Sequence, residues 1–262
     1  DAAIGLDTVL YCIRGNEFGV TDLTTKGEGN KTQFTWNWGD GNIDVKSTTT
    51  RFTHNYANTG TYTIKLLVED QYACIDSISK TTTVHPNPTA QFAIVDSLQC
   101  FNANSFSFVN QSASNTGNST LTYAWTFGDG GSSTAETPTH SYTSFGPRDL
   151  QLQVSNVFGC RDTFDSKARV YSLPTVNFSI NDSTQCENNQ LYNFQDLSSI
   201  ASTEGTISRA WDLGDGSTSS DATISYKYVG HDTVSVKLVQ TSSFGCKDSL
   251  SKRVEILRKP QI

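Results

Sequence analysis

Apolar and polar residues alternate in three stretches of the chain, each a few residues after a glycine. A period of two places every second side chain on one face of a β-strand, so each stretch predicts a strand with one buried face. The apolar positions are Tyr62, Ile64, Leu66 and Val68, then Leu150, Leu152 and Val154, then Val234, Val236 and Leu238. No segment has the 3.6-residue period of an amphipathic helix, and the pattern therefore predicts an all-β protein.

The sequence contains three copies of one unit. The hexapeptide Trp-x-Φ-Gly-Asp-Gly, in which Φ is hydrophobic, occupies residues 36–41, 125–130 and 211–216, which gives a period of about 86 residues. Such a period indicates a tandem array of one structural unit. We therefore expect three domains, at 1–86, 87–173 and 174–262, and refer to them as the first, second and third repeat.

The openings of the repeats suggest a longer array. Pro88-Thr-Ala-Gln-Phe opens the second repeat and Pro174-Thr-Val-Asn-Phe opens the third, whereas the first repeat lacks this opening. Pro260-Gln261-Ile262 reads as the start of a further repeat. We expect neighbouring repeats of the same long chain to be the immediate partners of this segment.

Each repeat reads as a small β-sandwich. In the second repeat, shorter strand-like runs at 106–109, 121–127 and 160–170 join the alternating strand, and Gly-Asp-Gly is a turn signal. About seven short strands with frequent turns predict an antiparallel sandwich of the immunoglobulin type. The linkers are short and contain proline, as in 84–88 and 170–174, so we expect the three sandwiches to form an extended rod.

The six cysteines follow the same period. Even counts allow several pairings, and we weigh two: one bond inside each repeat, or bonds between Cys74 and Cys100 and between Cys160 and Cys186. We favour the first pairing, because it leaves no cysteine unpaired and could contribute about 4 kcal/mol per repeat. The intradomain pairs would be Cys12 with Cys74, Cys100 with Cys160, and Cys186 with Cys246. Such bonds place the chain outside the cytoplasm and would keep about 60 residues of each repeat from extending under force.

Composition narrows the classes of partner. Thr and Ser make up 65 of the 262 residues, and the formal net charge is −7 with scattered Lys and Arg. The chain therefore lacks the cluster of positive residues that phosphate binding requires, and nucleic acid is excluded as a partner. No apolar run approaches the roughly 18 residues of a membrane helix, and we expect no membrane insertion in this segment.

The repeat motifs resemble a known family. Trp125-Thr-Phe-Gly-Asp-Gly, followed by His140-Ser-Tyr142 and a glycine four residues on, is similar to the signature of the PKD domain, an immunoglobulin-like sandwich. The first repeat matches it with His54-Asn-Tyr56, while the third has Leu213 before Gly-Asp-Gly and Tyr226 in place of the histidine. The cysteines with Gly-Cys-x-Asp-Ser resemble PKD arrays of Bacteroidetes-type surface proteins. That resemblance implies type IX secretion and a part in gliding or adhesion.

Candidate chemical sites are few. Asp40, Asp129 and Asp215 lie in the Gly-Asp-Gly turns, and Ca²⁺ is known in some PKD relatives, so each is a weak calcium candidate. Calcium takes six to eight oxygens and no dense Asp-x-Asp run lies nearby, so we expect these residues to cap the turns and expect no cofactor. Trp36, Trp125 and Trp211 occur once per repeat, which favours core packing over sugar stacking. No catalytic motif is visible, and we expect no enzyme.

Asp-Ser or Asp-Thr followed by an aliphatic residue or Thr resembles the O-glycosylation acceptor of Bacteroidetes-type secreted proteins. The candidate acceptors are Thr8, Ser77, Ser97, Ser183, Thr233 and Ser249. Strand alternation predicts that Thr233 faces outward. The alternative is ordinary polarity at strand edges in a chain rich in Ser and Thr.

We expect a non-catalytic extracellular stalk or adhesin segment that spaces and supports a functional tip on the cell surface. One alternative is a module that binds surface glycans or surface proteins through variable loops, such as 115–120 or 198–206. Another is an accessory region of a secreted hydrolase. Fold alone does not choose among these functions.

Overall fold

The computed structural model describes residues 2–7, 11–25, 30–48, 50–117, 120–230 and 232–258. Within those ranges nearly all regular structure is β-strand, and one 3₁₀ turn, Ser202–Glu204, is the only helical element described. The prediction of an all-β protein is confirmed.

The strands follow the three repeats. The first repeat contains β1 Ile4–Leu6, β2 Phe18–Asp22, β3 Lys31–Asn37, β4 Ile43–Lys46, β5 Phe52–His54, β6 Gly60–Asp70 and β7 Ile75–Val84. The second contains β8 Phe92–Ile94, β9 Leu98–Cys100, β10 Phe106–Asn110, β11 Leu121–Thr126, β12 Ser132–Ser133, β13 Thr139–His140, β14 Gly146–Asn156 and β15 Arg161–Tyr171. The third contains β16 Phe178–Ile180, β17 Thr184–Cys186, β18 Tyr192–Asp196, β19 Ile207–Asp212, β20 Thr218–Ser219, β21 Thr223–Tyr226, β22 Thr233–Ser242 and β23 Lys247–Leu257.

Each repeat has one three-stranded sheet and one larger sheet, as an immunoglobulin-like sandwich requires. The small sheets have the orders β1-β2-β5, β13-β10-β8 and β16-β18-β21. The larger sheets have the orders β4-β3-β6-β7, β12-β11-β14-β15-β9 and β17-β23-β22-β19-β20. The first repeat lacks the proline-bearing opening, yet β1 pairs with β2 in the place that β16 takes beside β18.

A short strand that carries the first cysteine runs parallel to the last strand of its repeat. In the third repeat β17 pairs with β23, with Cys186 opposite Leu257. In the first repeat Cys12 forms a parallel bridge with His85, directly after β7. This parallel pairing was not predicted, and it decides where the first cysteine lies.

The apolar face of the alternating strands forms the core of each sandwich. In the first repeat Ile64 and Leu66 of β6 are buried with Trp36, and in the third Val236 and Leu238 are buried with Trp211. All three repeat tryptophans have about 1% of their surface exposed, so the prediction that they pack in the core is confirmed.

The Gly-Asp-Gly turns need glycine for two reasons. Gly214 has a φ of 84°, in the left-handed region that a side chain disfavours. A Cβ atom placed on Gly214 would lie 2.5 Å from the Ser235 carbonyl oxygen, because β22 passes directly beneath the turn. Gly39 repeats this arrangement in the first repeat, with a φ of 80° and Thr63 as its neighbour.

The chain divides into two compact units. Unit 1 consists of 1–93, 108–138 and 150–166, and unit 2 of 94–107, 139–149 and 167–262. Unit 1 therefore contains the first repeat with part of the second, and unit 2 contains the third repeat with the remainder. Each cysteine pair described below lies inside one unit.

Candidate functional site: the disulfide joints between repeats

The disulfides join neighbouring repeats. Cys12 is bonded to Cys160 in unit 1, with 5.5 Å between their Cα atoms, and Cys100 is bonded to Cys246 in unit 2, with 5.4 Å. Our prediction of one intradomain disulfide per repeat is therefore wrong. The alternative bonds between Cys74 and Cys100 and between Cys160 and Cys186 are wrong as well. Cys74 and Cys186 are free and exposed.

The geometry of the last strand explains the error. In the third repeat Cys246 directly precedes β23, and Cys186 lies opposite Leu257, the last residue of that strand. Eleven residues at about 3.3 Å each separate the two cysteines by roughly 35 Å, whereas a disulfide needs Cα atoms within about 7 Å. The first repeat has the same arrangement. Cys74 directly precedes β7, and Cys12 pairs with His85, which directly follows β7.

The joint in unit 1 combines the disulfide with ring stacking and polar contacts. The rings of His85 and Phe158 stack with centroids 3.7 Å apart, and Arg14 forms an ion pair with Asp162. Asn156 Nδ2 donates a hydrogen bond to the carbonyl oxygen of Pro86 at 2.9 Å. The side chain of Asn156, in the second repeat, therefore contacts the backbone of the linker that follows the first repeat.

The joint in unit 2 repeats this plan with other side chains. Tyr171 stacks on Phe244 with centroids 4.0 Å apart, beside the bond between Cys100 and Cys246. A pocket of about 460 Å³ opens next to this joint. Its lining is mainly apolar and includes Phe101, Phe145, Leu173, Pro174, Val176 and Asp248.

The three candidate calcium residues cap their own turns. In each turn the aspartate Oδ1 accepts the backbone N–H of the residue two positions later: Asp40 from Asn42 (3.0 Å), Asp129 from Gly131 (2.9 Å) and Asp215 from Ser217 (3.0 Å). This is the capping role that the sequence predicts. No group of three or more His, Cys, Asp or Glu side chains suited to a metal occurs among the residues that the structure describes.

His54 and Tyr226 reach the turn aspartate in the same way. His54 Nε2 lies 2.8 Å from Asp40 Oδ2, and the Tyr226 hydroxyl donates to Asp215 Oδ2 at 2.8 Å. The replacement of histidine by tyrosine therefore keeps the contact. Burial acts to raise the pKa of both carboxyls, yet hydrogen bonds from the turn N–H and from His54 or Tyr226 leave the pKa below its ordinary value.

A buried amide after the first cysteine was missed in the sequence. Four residues after that cysteine, an amide side chain holds the backbone N–H and C=O of a tyrosine at once: Asn16 with Tyr56, Asn104 with Tyr142, and Gln190 with Tyr228. The regular spacing from cysteine to amide could have revealed it. The contact ties the segment after the first cysteine to the loop before the alternating strand.

Most candidate glycosylation sites lie on the surface. Ser77, Ser183, Thr233 and Ser249 are exposed and Ser97 is half-buried, while Thr8 lies outside the described residues. The exposure of Thr233 agrees with the predicted alternation of β22. His231 and the opening residues Pro260–Ile262 also lie outside the described ranges.

The fold defines a tandem array of immunoglobulin-like sandwiches with disulfide joints. The family model for the PKD domain matches residues 15–86, 85–170 and 172–257. The chain therefore belongs to the PKD domain family. This match indicates no enzyme family. In the described part of the chain, the structure contains no helix long and apolar enough to cross a membrane.

Solved structures similar to the chain include two single PKD domains. The PKD1 domain of the Vibrio cholerae metalloprotease PrtV is 32% identical over 32% of this chain and 96% of that chain, with a TM-score of 0.28. The PKD1 domain of Vibrio anguillarum Epp is 21% identical over 33% and 93%, with a TM-score of 0.28. Three N-terminal domains of the outer capsid protein Hoc of bacteriophage RB49 are 12% identical over 99% and 100%, with a TM-score of 0.38. No curated protein sequence matched the chain.

The PKD family and the two disulfides together indicate an extracellular location. Disulfides form and persist in oxidising compartments and are rare in the cytosol. The chain is accordingly an extracellular adhesion or binding segment.

Proposed function

We propose that this chain is a non-catalytic spacer segment of a cell-surface stalk or adhesin, which holds a functional tip away from the surface. The observation that carries the proposal is the disulfide between successive repeats, found once in each unit. A spacer needs neighbouring domains to keep their relative orientation. A covalent bond beside a short linker restricts the rotation of one domain against the next.

The ring stacks support the same role. A stacked aromatic pair contributes about 0.5–1.5 kcal/mol beyond the area it buries. His85 with Phe158, and Tyr171 with Phe244, place such a pair beside each disulfide. Because the linkers are only a few residues long, a bond and a stack at one joint leave little freedom for bending.

The experiment compares the oxidised chain with a double variant, Cys12→Ser with Cys100→Ser, by small-angle X-ray scattering. A spacer is expected to have a maximum dimension of roughly 100 Å, from three domains each with a radius of gyration near 13 Å. The double variant should give a broader distribution of distances. A matched control is Cys74→Ser with Cys186→Ser, which removes the two free thiols and should leave the curve of the monomeric fraction unchanged.

A compact particle with a maximum dimension near 60 Å, as expected for roughly 260 residues in one globule, would contradict the spacer role. Identical curves for the oxidised chain and the joint variant would show that the disulfides do not restrain the domains.

The pocket in unit 2 favours a second candidate function, binding of a small apolar or sugar ligand. Its volume of about 460 Å³ lies within the range of about 300–1,000 Å³ of small-molecule sites, and its wall carries Phe101 and Phe145. A glycan-array screen with the whole chain and with Phe145→Ala tests it. Signals that the variant loses would support binding, and signals equal in both would place any binding elsewhere.

O-glycan attachment at the exposed acceptors also belongs to this proposal. Ser77 and Ser249 directly follow an aspartate at the start of the last strand, and Thr233 does so at the start of β22. All three residues are exposed. The intact mass of the protein from its native source should exceed that of the bare chain. A mass equal to the bare chain would remove glycosylation.

A further inference from the structure

We propose that the surfaces around Cys74 and Cys186 are the two halves of one more joint. The Cys74 surface binds a second PKD domain that presents a Cys186 surface, and the Cys186 surface binds one that presents a Cys74 surface. In each case a disulfide links the two cysteines. The Cys74 surface consists of Asp70, Tyr72, Cys74 and Asp76. The Cys186 surface consists of Cys186, Glu187 and Leu257. The inference goes beyond the spacer role, since it names the partner and the bond.

The Cys74 surface already has the shape of a bonded half. The same hydrogen bond, from a backbone N–H to the carbonyl of the cysteine, closes the turn in each repeat: Asp70 to Cys74 (3.1 Å), Asn156 to Cys160 (3.0 Å) and Ser242 to Cys246 (2.8 Å). The residue before the cysteine has positive φ in all three, at Ala73 (61°), Gly159 (77°) and Gly245 (83°). The turn that presents the thiol is therefore formed without a partner.

The Cys186 surface also matches its bonded equivalents. The N–H of the residue after the first cysteine donates to the residue opposite on the parallel edge: Ile13 to His85 (2.8 Å), Phe101 to Tyr171 (2.8 Å) and Glu187 to Leu257 (3.0 Å). Cys186 thus has the backbone position that Cys12 and Cys100 have in their disulfides. Two cysteines in equivalent positions are bonded in this same chain, which is what marks Cys186 as a bonding residue.

Side chains that stack in the joints are uncovered on both surfaces. Tyr72 is 70% exposed, whereas its equivalents Phe158 and Phe244, which stack on the preceding repeat, are 37% and 47% exposed. On the other side Leu257 is 41% exposed, whereas its equivalent Tyr171 is 8% exposed under Phe244. An apolar contact between Tyr72 and Leu257 of a second domain would cover both.

The covalent step is an oxidation of two thiols. The sulfur of Cys186 and the sulfur of Cys74 form one bond and lose two protons and two electrons. A small-molecule disulfide such as oxidised glutathione accepts them and becomes two thiols, so atoms and electrons balance. Both thiols are exposed, and the attack of a thiolate needs that access.

A mixing experiment with two single variants tests the inference. Cys74→Ser retains Cys186, and Cys186→Ser retains Cys74. Each variant is purified with its joint disulfides intact and treated with oxidised glutathione, alone and as an equal mixture. We expect a disulfide-linked dimer in the mixture only, and peptide mass spectrometry should find Cys186 linked to Cys74.

The outcomes separate a specific joint from chance oxidation. Dimers of one variant alone, in amounts equal to the mixture, would overturn the proposal, because they would join like cysteines. Absence of a dimer in the mixture would overturn it too. When Tyr72→Ala is added to the Cys186→Ser variant, which retains Cys74, dimer formation should slow about fivefold. The control Val229→Ala, at an exposed position in another part of the third repeat, should leave the rate unchanged.

Scattering from the unmixed variants keeps this result distinct from the spacer role. A chain that forms no mixed dimer but retains its long dimension would remove the inference and leave the spacer proposal standing.

Discussion

Gln190 shows how single polar side chains fix the fold inside each repeat. Its Nε2 donates to the carbonyl oxygen of Tyr228 at 2.9 Å, and its Oε1 accepts the Tyr228 N–H at 3.1 Å. Gln190 is buried. If its side chain were removed, the C=O and N–H of Tyr228 would lose their hydrogen bonds at a position that water does not reach. This amide is longer than the asparagine of the other two repeats, yet it makes the same pair of bonds.

Gln190→Ala is expected to lower the free energy of unfolding of the third repeat by about 2–3 kcal/mol, because it leaves buried backbone groups unsatisfied. Hydrogen exchange followed by mass spectrometry measures this for the third repeat separately from the others. Asn188→Ala, at an exposed site two residues earlier, is the matched control and should change little. Equal protection in both variants would contradict the clamp role.

Asp196 gives a pH dependence to the third repeat. Its carboxylate accepts hydrogen bonds from Arg209 Nε at 2.7 Å and from Gln240 at 2.9 Å. Burial raises the pKa of this carboxyl, but the bonds from Ser198, Arg209 and Gln240 together hold it below the ordinary value of 3.8. A lowered pKa means that the folded state favours the charged form.

The stability that Asp196 contributes is therefore present above about pH 4 and is lost as the pH falls below 3.8 toward the folded pKa. Asp196→Asn is expected to cost about 2 kcal/mol at pH 7 and less at pH 2.5. Hydrogen exchange protection of the third repeat at the two pH values measures the difference. A cost that stays constant or grows at low pH would contradict this assignment.

The residues of the turns show what a motif can and cannot predict. Asp40, Asp129 and Asp215 cap their turns as the sequence predicts, because an aspartate beside glycine bonds its own backbone locally. The motif shows that Tyr226 replaces the histidine, but the contact that His54 and Tyr226 both make with the turn aspartate is not visible in the sequence. It depends on a turn and a strand meeting in space.

At the scale of elements, the Gly-Asp-Gly turn depends on its close approach to the neighbouring strand. Gly214→Ala would place a methyl group 2.5 Å from the Ser235 carbonyl oxygen and would strain a φ of 84°. We expect a loss of about 2–4 kcal/mol in the third repeat, as for other strained backbone positions with a steric clash.

The matched control for this change is Gly117→Ala. A Cβ atom on Gly117 would meet nothing within 4 Å, and this glycine is not among those with positive φ. Thermal unfolding followed by circular dichroism should show an early transition for Gly214→Ala only. Equal melting curves for the two variants would mean that β22 moves away at little cost.

The alternating strands β6, β14 and β22 could be predicted because a half-buried strand carries its own period. The short strands β9 and β17 could not, because three residues are too few for a period to appear. Their parallel pairing with the last strand is a tertiary fact, and the error in the cysteine pairing follows from it.

At the scale of the whole molecule, disulfide mapping tests the joints directly. Digestion of the oxidised chain without reductant should yield peptides that link Cys12 to Cys160 and Cys100 to Cys246, with Cys74 and Cys186 open to alkylation. Peptides that link Cys12 to Cys74 would restore the intradomain pairing and contradict the structure.

Force measurements test the mechanical consequence. The shortest covalent path through the oxidised chain passes from Cys12 to Cys160, back to Cys100 and across to Cys246. It contains roughly 90 residues and extends to ~300 Å, against ~900 Å for the reduced chain, at about 3.5 Å per residue. Single-molecule pulling with and without reductant should show this threefold difference, and equal lengths would contradict it.

The sequence by itself determined the repeat, the all-β sandwich and the PKD family, because strand periodicity, turn chemistry and the tryptophan of the hexapeptide are local features repeated three times. Only the tertiary structure decided which cysteines meet. A strand of eleven residues holds the two cysteines of the third repeat at opposite ends, and the joints inside units 1 and 2 bring cysteines from neighbouring repeats within bonding distance. The spacing of the cysteines along the chain does not indicate their distance in space.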